Sequence, residues 1–140
     1  MSRPTIAPAP IAIKAEQYPD LDRCAHTVIE AATEVHRQLG PGFSQSAYED
    51  ALSIELTLRG LGVERQLSIP VVYKGISVSE ARIDLVVANA LVVEIRAVDE
   101  LLPLHSSQVV SYLKAGAYQL GLLINFNVPT LRDGIRRIVC

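Results

Sequence analysis

The chain contains no tryptophan, one methionine and two cysteines, Cys24 and Cys140, at opposite ends of its sequence. That leaves no disulfide framework and no thiolate zinc or redox spacing, and two free thiols fit a reducing cytoplasm. His26, His36 and His105 share no ligand spacing and have no cysteine partner, which argues against a zinc centre. No apolar run approaches the roughly 18 residues of a membrane span, so no membrane association is expected. The N-terminus lacks a basic region followed by a continuous apolar stretch, so no secretory signal is expected either. Neither sign of charge dominates: 13 Lys and Arg against 15 Asp and Glu give a net charge of -2. Nucleic-acid binding driven by overall charge is therefore not indicated, although a local basic strip is compatible with these totals. Phosphate-binding glycine loops, nucleophile elbows and Cys–His arrangements are also missing.

What is present is apolar. At 49% hydrophobic and 20% charged, 140 residues can build one soluble domain with a real core. Residues 1–18 carry Pro4, Pro8 and Pro10 among Ala and Ile. They read as a tail that favours extended conformations and either frays or packs on a neighbouring subunit. Residues 19–140 read as the single domain.

Within it, Asp20 can cap a helix whose apolar stripe is Leu21, Ala25, Val28, Ala32, Val35 and Leu39. Gly40-Pro41-Gly42 stops that helix. A second starts between Ser44 and Ser46, where Ser46 to Glu49 has the form of a capping box, and runs to Arg59. Strand-like segments follow at Val63–Tyr73, Ile76–Val78, Arg82–Val87 and Leu91–Val98. Then come a helix of about Ser107–Tyr118, a continuous apolar strand at Gly121–Phe126, and a last strand, Ile135–Val139, after the Asp133-Gly134 turn. This order is α+β, or mixed α/β.

The segment Arg82 to Arg96 carries the most information. Two β-branched runs flank Ala88-Asn89-Ala90, and Asn tolerates positive φ, so the segment reads as a β-hairpin. Centred on Asn89, it pairs Val87 with Leu91 and Leu85 with Val93, and it sets Asp84 opposite Glu94. One face holds Ile83, Leu85, Val87, Leu91, Val93, Ile95 and Ala97; the other holds Arg82, Asp84, Val86, Val92, Glu94 and Arg96. Directly opposed side chains sit roughly 5 Å apart, and like charges there repel. The two carboxylates therefore need a cation between them. Arg82 and Arg96, on the same face, offer one answer; a hard divalent metal, which commonly takes only one or two carboxylates, offers the other.

An aspartate, a short hairpin and then acid-x-base on the next strand resembles the core signature of the PD-(D/E)XK nuclease superfamily. Within it the chain resembles the GxxExxY proteins, from about Asp20 to Val139. The resemblance is carried by Ala32–Gly42, Pro70–Gly75, Leu122–Pro129 and Gly42-Phe43-Ser44-Gln45-Ser46-Ala47-Tyr48. It implies a restriction-endonuclease-like core, a central mixed sheet flanked by helices, with an extra N-terminal helix. It also implies hydrolysis of phosphodiester bonds in DNA or RNA with Mg2+ or Mn2+. Asp84 and Glu94 would be the catalytic acids and, with the Ile95 carbonyl, the metal ligands. Gln45 stands where the family has Glu, and Arg96 where the superfamily has Lys; both belong to the implied catalytic set. Gln108 and Tyr112, four residues apart on one helix, resemble a Gln-x-x-x-Tyr pair that approaches the nucleic-acid backbone. The bland alternative for that pair is a helix surface with a half-buried ring. Tyr48 either contacts a phosphate or fills the core, and His105 either lines the cleft or caps its helix. The two departures, at Gln45 and Arg96, leave a second class of function open: a catalytically lapsed nuclease fold used for binding or assembly.

So apolar a composition, with a Pro/Ala-rich tail, exceeds what a small core readily hides, and a closed homo-oligomer is expected. Light scattering at tens of micromolar should return at least a dimer mass, and a monomer mass would refute the expectation.

Overall fold

The computed structural model describes residues 20–140, so the tail expected at 1–18 lies outside the described residues. Helices α1 (Leu21–Leu39) and α2 (Gln45–Leu58) precede strands β1 (Val63–Tyr73), β2 (Ile76–Val87) and β3 (Leu91–Arg96). Helix α3 (Pro103–Gly116), strand β4 (Leu120–Asn125), a 3-10 turn at Leu131–Gly134 and strand β5 (Ile135–Val139) complete the order. The five strands form one mixed sheet in the order β1-β2-β3-β4-β5, parallel only between β3 and β4. The α3 crossover makes that parallel pair possible, and all six residues of β4 are buried, as expected of a central strand.

The helices lie on both faces. Ala25, Val28 and Val35 of α1 and Tyr48, Leu52 and Leu56 of α2 pack on Leu85, Val87, Leu91, Val93 and Ile95. Val109 and Leu113 of α3 pack on Ile83, Val86, Val92 and Leu123 from the other side. The sequence stripe on α1 holds except at its end, where Leu39 is exposed.

Several local expectations change. Ser44, not Ser46, caps α2, accepting from the Ala47 N–H at 3.2 Å. Asp20 makes no side-chain cap bond and instead pairs with Arg23. Helix α3 begins four residues earlier than expected because Pro103 fits a first helical turn and His105 Nδ1 accepts from the Leu102 N–H at 2.8 Å. Of the two roles open to it, His105 takes the cap. Strand β2 is continuous where two segments were expected, since β1 pairs with it through Ser79, Glu80 and Ala81. The edge strand β1 is itself irregular: Gln66 has φ 53°, Pro70 lies within it, and its register shifts between Val71 and Val72.

The alternation also breaks within β2. Leu85 and Val87 face α1 and α2, whereas Ile83 joins the α3 core. On β1, likewise, Val63 packs on the first core and Leu67 on the second. Both strands change face at the level of Gln66 and Asp84.

Gly134 closes the passage from β4 into β5, and a Cβ on it would overlap the Asn125 carbonyl oxygen. Gly134→Ala should cost about 1–3 kcal/mol by urea denaturation, because backbone must move. An unchanged midpoint would show that the turn has slack.

Candidate functional site

Ala88 and Asn89 have φ of 54° and 57°, and the Ala90 N–H bonds the Val87 carbonyl at 3.1 Å, a tight turn built on two successive left-handed residues. The turn fixes the register symmetrically about Asn89: Val87 with Leu91, Val86 with Val92, Leu85 with Val93. There the regular ladder ends and the two acids replace it. The Glu94 carboxylate accepts the Asp84 N–H at 2.7 Å, and the Asp84 carboxylate accepts the Ile95 N–H at 2.9 Å. Buried carboxylates thus satisfy the donors left over where the strands part.

The cation among them is a guanidinium. Arg96 Nη1 donates to the Ile95 carbonyl at 2.7 Å and to Asp84 Oδ2 at 3.4 Å, and lies 3.3 Å from Glu94 Oε1. Its Nη2 donates to Gln108 Oε1 on α3 at 2.6 Å. Arg82, expected to share this task, does not. The twist that turns Ile83 toward α3 turns Arg82 away, and its side chain is exposed with no ion pair or hydrogen bond among the described residues.

A third carboxylate approaches from α2, but not from the position the sequence suggested. Gln45 is exposed at the first turn of α2 and has no side-chain hydrogen bond among the described residues. One turn further, Glu49 is buried and accepts from Gln66 Nε2 at 2.9 Å; the same amide nitrogen lies 3.4 Å from Asp84 Oδ1. Arg65 donates to Glu49 at 3.2 Å and also pairs with Asp50. Glu49, Arg65 and Gln66 were missed because no motif marks them. Gln66 reaches both acids from a left-handed backbone, which costs a non-glycine residue about 1 kcal/mol or more. The one available clue was Glu49 lying four residues after Gln45, on the same helical face.

The remaining candidates divide. The Tyr48 hydroxyl donates to the Gly40 carbonyl at 2.5 Å and accepts the Phe43 N–H at 3.1 Å. Its ring is fully buried and stacks on Phe126 at 4.6 Å. Tyr48 is thus a core residue that fastens the loop before α2. Gln108 is exposed and reaches the acids through Arg96. Tyr112 is half-buried; burial first and the Glu94 charge second raise its phenol pKa, with the Arg96 charge opposing.

Glu94 is the acid of this pair that burial and its neighbour's charge disfavour as a carboxylate. Burial, and then the Asp84 charge, push its carboxyl up to about 7, against the Asp84 N–H and the Arg96 charge, which favour ionisation. Among the described residues no three His, Cys, Asp or Glu side chains converge as a metal cluster. Two carboxylates and a carbonyl do converge, which suits an ion that keeps much of its water.

This constellation lies inside a family match. Residues 22–138 match the family model of the PD-(D/E)XK nuclease superfamily. The chain belongs to the PD-(D/E)XK nuclease superfamily. No curated protein and no solved structure matches it significantly. In this superfamily member the mixed sheet is flanked by helices as the sequence implied, and the hairpin acids stand where its strands part.

The raised Glu94 pKa sets the sign of a pH effect. Folding favours the protonated carboxyl, so the stability it confers is present below the ordinary value near 4.5 and lost as pH climbs through about 7. Relative to Glu94→Gln, the native chain should lose about 2–3 kcal/mol between pH 5 and pH 8 in urea titrations without metal. Parallel curves for the two proteins would show that Glu94 does not titrate in that range.

Proposed function

We propose that the chain is a metal-dependent phosphodiesterase acting on nucleic acid, with Asp84, Glu94 and the Ile95 carbonyl as its metal donors. One observation carries this reading: oxygens of Asp84, Glu94 and Ile95, from two strands, meet at a single cationic nitrogen. An ion favoured by oxygen ligands fits that donor set, and bound Mg2+ or Mn2+ would supply Lewis acidity and an acidified water. The chain's own residues supply the rest. A guanidinium is a hydrogen-bond donor and no general base, so Arg96 can donate to a phosphate oxygen and stabilise charge that develops in the transition state. Glu49, linked to Asp84 through Gln66, offers the carboxylate that Gln45 does not. Gln108 and Tyr112 border the site from α3 and are read as its substrate side.

A second reading has its own observation. Arg96 is bonded on one side to the hairpin and on the other to Gln108, as a permanent counter-ion would be. The chain would then be a lapsed nuclease fold acting in binding or homo-oligomeric assembly.

Melting curves separate the two. Under the nuclease reading, millimolar Mg2+ or Mn2+ should raise the Tm by a few degrees, since a ligand bound only by the folded state stabilises it. Asp84→Asn should abolish that response. Under the second reading metal changes nothing; in both readings Asp84→Asn weakens the apo protein by leaving Arg96 short of a partner, so the metal response alone decides. Arg96→Lys should strengthen the metal response only if the first reading holds.

A further inference from the structure

Arg96 Nη1 contacts all three oxygens assigned above to a metal: Asp84 Oδ2, Glu94 Oε1 and the Ile95 carbonyl. A divalent ion bound to the same oxygens would sit about 2.0–2.6 Å from each. That leaves no room for a guanidinium nitrogen, and two positive charges at such spacing repel strongly in a site sheltered from water. Arg96 and a metal therefore exclude each other from these donors. The side chain is held in by more than the acids, because Nη2 donates to Gln108 at 2.6 Å. It is not sealed in: the Arg96 side chain keeps 13% of its exposure and Gln108 is exposed, so the guanidinium borders solvent beside α3.

Resting on the nuclease reading, we infer that Arg96 is an internal counter-ion that must leave Asp84 and Glu94 before a divalent metal binds, and that a phosphodiester anion draws it out. A guanidinium stripped of two carboxylates is short of hydrogen-bond acceptors, and a phosphodiester monoanion supplies two oxygens in the fork geometry it prefers. The phosphate and the metal then favour the same position of Arg96, outward, and each raises the other's affinity by the same factor. Without phosphate the competent fraction is small, and the apparent metal affinity falls in proportion to that fraction. Gln108 acts as a clamp on the inward position. Arginine in place of lysine matters here because a lysine ammonium is a single point donor. It cannot hold the acids with one nitrogen while a second is tied to α3. The arrangement makes this member's site closed by default and opened by its own substrate class.

The test uses Mn2+ binding read by electron paramagnetic resonance of the free ion, in the presence and absence of dimethyl phosphate, with a melting curve to verify each fold. The native chain should bind Mn2+ weakly alone and at least about fivefold more tightly with dimethyl phosphate, the lower end of usual coupling factors. Arg96→Met should bind Mn2+ alone about tenfold more tightly than the native chain, and dimethyl phosphate should add little. Should Arg96→Met fail to fold, Gln108→Leu keeps every charge and removes only the clamp; it should also bind Mn2+ more tightly than the native chain. Equal Mn2+ affinity in the native chain and whichever of these variants folds would overturn the counter-ion role while leaving the nuclease reading standing. Phosphate coupling that persists undiminished in Arg96→Met would place the anion on the metal and likewise overturn it. No Mn2+ binding by any of these proteins, with or without dimethyl phosphate, would end the nuclease reading and this inference together.

Discussion

Two carboxylates facing each other across adjacent strands are a liability on their own, and the arrangement survives because each completes the other strand's backbone. Glu94 takes the Asp84 N–H and Asp84 takes the Ile95 N–H, so the point where pairing stops is also the point where charge is concentrated. Removing either acid would leave a buried donor without a partner as well as a misplaced charge. The fork in turn admits the other elements. Arg96 comes from β3 itself, Gln108 from α3, and Gln66 brings Glu49 in from α2.

The hairpin register was legible because turn chemistry and alternation are local: Asn89 and the flanking Val and Leu residues specify it without help. The helices were legible as stripes, with ends set by caps that compete over a residue or two, as at Ser44 and Pro103. The superfamily was legible in the spacing of Asp84, Glu94 and Arg96. What stayed hidden depends on tertiary placement. Arg82 looked equivalent to Arg96 by parity, and parity fails at a twist that no single strand encodes. Gln45 looked like the third polar group by motif, but the helix presents Glu49 to the fork. Gln66 had no signal, since a left-handed glutamine within a strand runs against propensity and is fixed only by what its side chain holds.

Tyr48 shows how a motif residue can serve a site without touching it. Its hydroxyl ties the Gly40–Phe43 loop and its ring stacks on Phe126, just beyond the end of β4. That fixes where α2 starts, and with it the distance from Glu49 to Gln66. Loss of the ring would loosen the helix that carries a site acid, a packing effect that activity assays alone would mistake for chemistry.

The irregularities of β1 reach beyond the site they border. Strand β1 forms one edge of the sheet and, at 11 residues, is long enough to template a foreign strand. Gln66 bends it, Pro70 removes a donor, and the shift after Val71 breaks its repeat, three devices that spoil edge-to-edge addition. The opposite edge, β5, is only five residues long and carries Arg136 and Arg137 as exposed charges. Neither border offers a straight, uncharged row of free amides. A second copy of this chain would find no regular edge among the described residues on which to extend the sheet, and the kink that positions an acid also works against fibrous growth.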